Sequence, residues 1–245
     1  MRRSVRAIAG GAVLAFSIGL AAGTSSPAPI YLMASQPDQP AQDGGNSGGP
    51  PFSVALAELL DRPRLSFGDM LDEVVRLTEG NSRGRQRPEV PAAVESALLN
   101  WQIRPPAEGE KRVALVLVFA DYSRNESLLP LPGARSDLDR VASAFEQAGF
   151  ATMRILDPSP LYLKAVLAGF EKRSAQADVA VLYATGHGVE ADRTIFLLPG
   201  DFSLREEKLA MSGIRLSVLA GALKARNLNL VFYGGCRTPP SENGS

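Results

Sequence analysis

The chain contains almost none of the residues that build disulfides or zinc sites. Its 245 residues include one cysteine, Cys236, and one histidine, His187, which excludes an intramolecular disulfide and a Cys/His-rich zinc site. It also lacks a charge excess, because 26 Lys and Arg balance 26 Asp and Glu, and we therefore expect no nucleic-acid partner. The 45% of hydrophobic residues nevertheless allow a sizeable packed core. The lone thiol and the lone imidazole each need an explanation of their own.

An apolar run long enough to span a bilayer is also missing near the N-terminus. The uncharged stretch over residues 7–22 has 16 residues, whereas a spanning helix needs roughly 20. Three arginines precede this stretch and small residues end it, which is typical of a secretory signal peptide. We expect residues 1–23 to be removed and the protein to be secreted or periplasmic, with membrane anchoring by an uncleaved segment as the alternative. Export would place the thiol in an oxidising compartment, where an unpaired cysteine needs burial or a role.

Composition divides the rest of the chain into three parts. Residues 24–51 are rich in Gly, Pro, Gln and Asp and predict a disordered linker. Residues 52–110 carry two modest helical patterns, over 70–77 and 94–101, and predict a small helical lead-in. From residue 111 to 245 strands and helices alternate, so we expect one further domain there.

This last part predicts an α/β fold with a mainly parallel sheet flanked by helices. Apolar runs predict strands over residues 113–119, 151–155, 179–183, 195–198 and 228–233. Apolar residues at helical spacing predict helices over 137–149, 163–170 and 216–223. Ligands of parallel sheets bind at the carboxyl ends of the strands, and His187 and Cys236 each follow a strand closely.

These two residues suit nucleophilic catalysis. A cysteine attacks as thiolate, and an imidazole can take its proton and return it to a leaving amine. The N–H groups of Gly188 and Cys236 can then stabilise a tetrahedral oxyanion. The alternative is a small buried thiol that fills space, and a histidine that only occupies a turn.

Five sequence blocks stand in order between residues 112 and 240: RVALVLVF, PLPGARSDLDRVASAFEQAGF, VAVLYATGHGVE, IFLLPGD and GGCRTPP. Together they resemble the caspase-like cysteine peptidases of peptidase family C14, and most closely their bacterial metacaspase-like branch. His187 precedes Cys236 by 49 positions, close to the spacing of about 50 in caspases. The resemblance implies a caspase-like three-layer fold and a protein or peptide substrate. It makes Cys236 the nucleophile, His187 the general base and acid, and Gly188 with Cys236 the oxyanion hole.

The resemblance also concerns substrate selection. Asp137 matches the family's N-D-A aspartate, which implies a substrate-binding carboxylate for Arg or Lys; the alternative is a helix N-terminal cap. The family's second pocket acid is replaced by Gly234, and loss of one of two carboxylates is expected to weaken selectivity for basic residues. No cofactor is expected. Some metacaspases need calcium, which the resemblance leaves open, although the scattered acids define no oxygen cage.

The chain stops nine residues after Cys236, whereas the family fold continues with further strands. We expect those C-terminal strands to be missing, and a partner or a second copy to associate at the incomplete sheet edge. The function implied is an exported caspase-like or metacaspase-like cysteine endopeptidase acting through a Cys-His dyad. The alternatives are a catalytically silent caspase-fold protein-binding module and a redox-sensing thiol.

Overall fold

The computed structural model describes residues 26–37, 39–45, 48–125, 127–202 and 212–238. The predicted signal peptide lies outside these residues, and none of the helices within them is long and apolar enough to cross a membrane. The elements are, in chain order, β1 (Ile30–Met33), α1 (Pro51–Asp61), α2 (Phe67–Ser82), α3 (Ser96–Leu99), β2 (Arg112–Val118), α4 (Pro132–Gln147), β3 (Ala151–Leu156), α5 (Pro160–Ser174), β4 (Val179–Thr185), β5 (Gly188–Ala191), β6 (Thr194–Leu197), β7 (Ile214–Arg215), α6 (Leu216–Ala220) and β8 (Leu228–Tyr233).

The main sheet has five parallel strands in the order β1-β8-β4-β2-β3. The strands β4 and β8 are buried along their whole lengths, as strands covered on both faces must be. A small antiparallel sheet of β5, β6 and β7 stands apart from it. The predicted α/β class with a mainly parallel sheet is confirmed.

Helices cover both faces of the main sheet and form two apolar cores. Successive strand side chains point to opposite faces, so Val116 belongs to one core and Leu117 to the other. The first core includes residues of α1, α2 and α4, and the second includes residues of α5 and α6. The lead-in helices α1 and α2 therefore pack on the same face as α4, and the three-layer arrangement implied by the resemblance is present.

The prediction of a disordered linker over residues 24–51 is wrong for part of that range. Residues 30–33 form β1, which pairs in parallel with β8 from Ile30 opposite Leu230 to Met33 opposite Tyr233. Leu32 is fully buried in the first core. The four apolar residues of β1 are too few to show the alternation that identifies a strand in sequence. The Gly and Pro around them therefore led to the prediction of disorder. β8 consequently has a neighbour on each side, β4 and β1, and association of a partner or a second copy at the edge of the sheet stays a prediction.

The lead-in differs from its prediction at both ends. Helix α1 begins directly after Pro50, with Pro51 in its first turn, a position where the fixed φ of proline favours a helix. The predicted linker, residues 24–51, includes Pro51, so its boundary lies one residue too late for the start of α1. The pattern over residues 94–101 produces only the four residues of α3, Ser96–Leu99.

Candidate active site

The structure brings His187 and Cys236 to one cavity. His187 follows β4 and Cys236 follows β8, and these strands are neighbours in parallel register, with Ala184 opposite Tyr233. Both residues line a cavity of about 110 Å³ at the carboxyl ends of the two strands. Within the described residues, no hydrogen bond joins the two side chains, because each is held by a different neighbour.

His187 is oriented by a backbone carbonyl. Its Nε2 lies 2.8 Å from the carbonyl oxygen of Leu129, and a carbonyl only accepts, so Nε2 carries the hydrogen. The other ring nitrogen, Nδ1, is then the free base of a neutral imidazole. Burial lowers the pKa of His187, with the Leu129 contact and the charge of Asp43 acting in the opposite direction. The ring is accordingly neutral near pH 7 and ready to accept a proton at Nδ1.

Tyr122 contacts both the backbone and the ring of His187. Its hydroxyl donates to the carbonyl of Leu198 at 2.7 Å and accepts from the backbone N–H of His187 at 3.0 Å. The two rings meet edge to face with centroids 4.6 Å apart. Sequence reasoning missed both Tyr122 and Leu129, because an isolated tyrosine and a backbone carbonyl carry no motif. The only available signal for Leu129 was its position before Pro130, which favours extended backbone.

Cys236 is held by a segment from the N-terminal part of the chain. We name residues 39–45 the strap. The N–H of Ala41 donates to Sγ of Cys236, and the thiol donates back to the carbonyl of Ala41, both at 3.3 Å. Burial raises the pKa of Cys236, the Ala41 contact lowers it, and the charge of Asp43 raises it further. The sulfur is therefore a protonated thiol at neutral pH.

The two residues predicted for the oxyanion hole lie side by side. A Cβ built on Gly188 would come 2.6 Å from the carbonyl oxygen of Cys236 and would overlap the hydroxyl of Tyr233, so only glycine fits. The same hydroxyl donates to the Cys236 carbonyl at 3.2 Å. This packing fixes the backbone around Cys236 against the start of β5. The oxyanion-hole role itself stays a prediction.

Asp137 is not brought to the cavity surface. Its carboxylate is fully buried and accepts from Ser53 at 2.5 Å and Arg140 at 2.6 Å through Oδ1, and from Tyr183 at 2.8 Å through Oδ2. Burial raises its pKa to about 6, while these hydrogen bonds lower it. Helix α4 begins five residues earlier, at Pro132, so the helix-cap alternative is wrong. A role in substrate binding stays a prediction, and in the described state all its contacts are internal.

Gly234 has no room for the carboxylate that the family carries there. A Cβ at this position would lie 2.9 Å from Oγ1 of Thr185 and 2.9 Å from the hydroxyl of Tyr183. Of these two side chains, Tyr183 also reaches Asp137, because its hydroxyl donates to Oδ2 of that carboxylate at 2.8 Å. Thr185 and Tyr183 thus leave too little space for an acidic side chain at Gly234.

A calcium site finds no support in the donors present. Within the described ranges, no group of three or more His, Cys, Asp or Glu side chains is placed to hold a metal ion. Ca²⁺ takes six to eight oxygen ligands, several of them carboxylates. The side chains of this part of the chain therefore do not fit calcium, and no step below is assigned to a metal.

Comparison with known proteins agrees with this architecture. No curated protein matches the chain. The family model described as the peptidase C14 caspase domain matches residues 111–244, which is more than half of the chain. That range begins just before β2 and contains β4, β8, His187 and Cys236. The chain belongs to the caspase-domain family of peptidase C14.

Proposed function

We propose that this protein is an exported cysteine endopeptidase that hydrolyses peptide bonds through Cys236 and His187. The observation that carries the proposal is the position of the chain's only thiol and only imidazole, which line one cavity at adjacent strand ends of a caspase domain. A dyad needs no third side chain here, because the Leu129 carbonyl already orients the imidazole. Export rests on the pattern of residues 1–23, and its test is the N-terminal sequence of the secreted or periplasmic product.

The reaction divides into acylation and deacylation. In acylation, Nδ1 of His187 takes the proton of Cys236, and the sulfur attacks the peptide carbonyl carbon. The N–H groups of Gly188 and Cys236 stabilise the oxyanion that forms. The intermediate collapses when His187 returns the proton to the leaving amine, which leaves a thioester on Cys236. In deacylation, His187 takes a proton from a water molecule whose oxygen attacks the thioester carbonyl carbon. The C–S bond then breaks, the carboxylic acid product leaves, and His187 returns the proton to the sulfur of Cys236.

Substrate selection follows from the charges near the cavity. Asp137 is paired with Arg140 and Gly234 replaces the second acid. Among the described residues that line the cavity, the one carboxylate is that of Asp43, and it is bonded to the N–H groups of Gly133 and Ala134. We therefore expect weak preference for Arg or Lys before the scissile bond, although the resemblance implies such a preference. A peptide panel with Arg, Lys, Asp and Ala at that position measures this preference directly.

The test of the peptidase function compares the purified chain with Cys236→Ala and Cys236→Ser. Fluorogenic peptides from the panel and an unfolded protein substrate are incubated with each, and the cleavage products are identified by mass spectrometry. We expect cleavage by the chain when the strap does not cover Cys236, and under the same conditions a loss of at least about 10³-fold in both variants, as for removal of a catalytic nucleophile. Equal, background-level turnover in all three, also when each carries Gly133→Ala to displace the strap from Cys236, would contradict the proposal.

A second candidate function is a catalytically silent caspase-fold module that binds proteins. It is favoured by one specific observation: the thiol of Cys236 and the carboxylate of Asp137 are both engaged by the chain's own groups. Alkylation of Cys236 by iodoacetamide across pH separates the two functions. A thiol pKa that His187→Ala leaves unchanged even after the strap has been displaced would favour the silent module, and a pKa that depends on His187 would favour the peptidase.

A further inference from the structure

The strap lies over Cys236 at the place where a substrate would have to bind. We propose that it is an autoinhibitory segment: residues 39–45 close the cavity over Cys236, and the thiol becomes reactive when the strap leaves. The proposal rests on the proposed function for its biological meaning, but not for its measurement, because access to a thiol can be measured without catalysis. Four sets of contacts support it.

The first contact is with the nucleophile itself. Both backbone polar groups of Ala41 are bonded to Sγ of Cys236 at 3.3 Å. A reacting carbonyl carbon must come within about 3–3.5 Å of the attacking atom, so Ala41 and a substrate cannot occupy this position together. Ala41, Gln42 and Asp43 also line the cavity that contains His187.

The second contact fixes the strap to helix α4. The carboxylate of Asp43 accepts from the backbone N–H of Gly133 at 2.9 Å and of Ala134 at 2.7 Å. These N–H groups have no partner inside the helix, and a negative charge near a helix N-terminus is favourable. A Cβ built on Gly133 would overlap the carbonyl oxygen of Asp43, so the absence of a side chain at this position admits the strap.

The third contact fixes the strap to the lead-in. The side chain of Gln86 is buried and accepts from the backbone N–H of Gln42 at 2.9 Å, while its amide donates to the carbonyl of Ala34 at 2.9 Å. One glutamine therefore holds the strap and the end of β1 at the same time. Through Gln86, the region 52–110 therefore helps to hold the strap over the cavity.

The fourth set of contacts places the strap between two packed anchors. Before it, β1 is paired with β8, and Arg237, directly after Cys236, donates to the carbonyl of Ser35 and is paired with Glu190. After it, α1 packs in the first core from Phe52 onward. The strap can therefore leave the cavity, by displacement or by a cut, while β1 and α1 stay in place.

The strap is also incompletely satisfied. In the part of the chain that the structure describes, the side-chain carbonyl Oε1 of Gln42 is buried without a hydrogen-bond partner. An unsatisfied buried acceptor disfavours the state in which it occurs. The closed arrangement is thus held by a small number of hydrogen bonds and weakened by one orphaned group, as suits a segment that must come away.

The experiment displaces the strap with a single methyl group. In the full chain, Gly133→Ala puts a Cβ where the Asp43 carbonyl lies, whereas alanine itself is favourable in a helix. Gly169→Ala is the matched control, since it is also a helical glycine and its Cβ would meet nothing within 4 Å. The measurement is the rate of Cys236 alkylation by iodoacetamide, followed by intact mass at fixed pH. We expect at least a tenfold faster rate in Gly133→Ala and the unchanged rate in Gly169→Ala.

A second variant guards against misfolding as the cause. Asp43→Ala removes both hydrogen bonds to α4 without adding volume, and we expect it to accelerate alkylation as well. Circular dichroism and the melting temperature must show that each variant is folded. If both folded variants react at the rate of the unmodified chain, the strap does not close the site and the proposal is overturned.

Peptide turnover by the same variants separates this proposal from the peptidase function. Faster alkylation together with new turnover supports both. Faster alkylation without turnover supports the strap and counts against the peptidase. Turnover by the unmodified chain at the same rate as Gly133→Ala, with equal alkylation, overturns the strap and leaves the peptidase standing.

Discussion

The two sides of the candidate dyad are built by different parts of the chain. The groups that hold His187 are Leu129 and Tyr122, both inside the region that matches the caspase domain. The group that holds Cys236 is Ala41, which lies outside that region. The caspase-domain region therefore orients the imidazole of His187 by itself, whereas a segment outside that region holds the thiol of Cys236.

The largest effect expected from this comparison comes from removing the base. In a Gly133→Ala background, His187→Ala should reduce peptide turnover by about 10²–10⁴-fold, the usual contribution of a general base. The alkylation rate of Cys236 in the otherwise unmodified chain should stay the same, because Ala41 and not His187 holds the thiol. If His187→Ala left turnover unaltered, or strongly changed the alkylation rate of the chain with the strap in place, His187 and Cys236 would not be held by separate parts of the chain.

Asp137 connects the lead-in to the caspase domain, since its carboxylate accepts hydrogen bonds from Ser53 of the lead-in and from Tyr183 of β4. Burial raises its pKa from 3.8 to about 6, so the native state binds the proton more tightly than the unfolded chain. Its contribution is full below pH 3.8 and lost as pH rises to about 6, an expected decline of about 3 kcal/mol in the free energy of unfolding. Asp137→Asn should remove this decline.

Urea unfolding between pH 3.5 and pH 7 measures that prediction, with Asp139→Asn as the control because its side chain is 82% exposed. The control should retain the slope of the unmodified chain. Parallel curves for all three proteins would show that Asp137 titrates as an ordinary exposed aspartate, and the buried link between the two parts would have to be abandoned.

A smaller effect is expected from Tyr122, which positions His187 rather than touching substrate. Tyr122→Phe removes the hydroxyl that accepts from the His187 N–H and donates to Leu198. We expect turnover in the Gly133→Ala background to fall about tenfold in kcat with KM unchanged, as for a loss of about 1.4 kcal/mol in the transition state only. Tyr162→Phe, at an exposed position, should change neither constant; a rise in KM alone for Tyr122→Phe would point to a structural role instead.

The smallest effect expected is a shift in the pH dependence of alkylation. Burial and the charge of Asp43 raise the pKa of Cys236, so the thiol should react only at a pH above its ordinary range. Removing a neighbouring negative charge favours the thiolate, and Asp43→Asn should lower the midpoint by less than about one unit. Asp61→Asn, at an exposed position that does not line the cavity, should leave the midpoint in place, whereas a midpoint raised by Asp43→Asn would contradict this electrostatic explanation.

The sequence predicts those parts of the fold in which the burial of a strand or helix determines the pattern of apolar side chains. The runs over residues 113–119 and 228–233 are apolar because both faces of their strands are covered, and that requirement is visible in sequence. His187 and Cys236 were placed together for the same reason, since each follows such a strand. The pattern therefore predicted the sheet and the edge at which the two candidate residues meet.

The unpredicted part depends on backbone groups and on distant partners. The bonds from Ala41 to Cys236 and from Leu129 to His187 use peptide N–H and carbonyl groups, which every residue has. Asp43 reaches Gly133 across 90 positions, and no local pattern reports such a contact. The Gly- and Pro-rich composition of residues 24–51 predicts disorder, whereas β1 and the strap are ordered by the sheet and the helix that they contact.

The most direct test of the central claim is detection of an acyl group on Cys236. A peptide ester is mixed with the Gly133→Ala chain, and intact mass is recorded at short times against Gly133→Ala carrying Cys236→Ser and against Gly133→Ala carrying His187→Ala. We expect a transient thioester that requires both Cys236 and His187 and that forms more slowly in the unmodified chain, in which the strap covers Cys236. A thiol that alkylates readily but never acylates would contradict it.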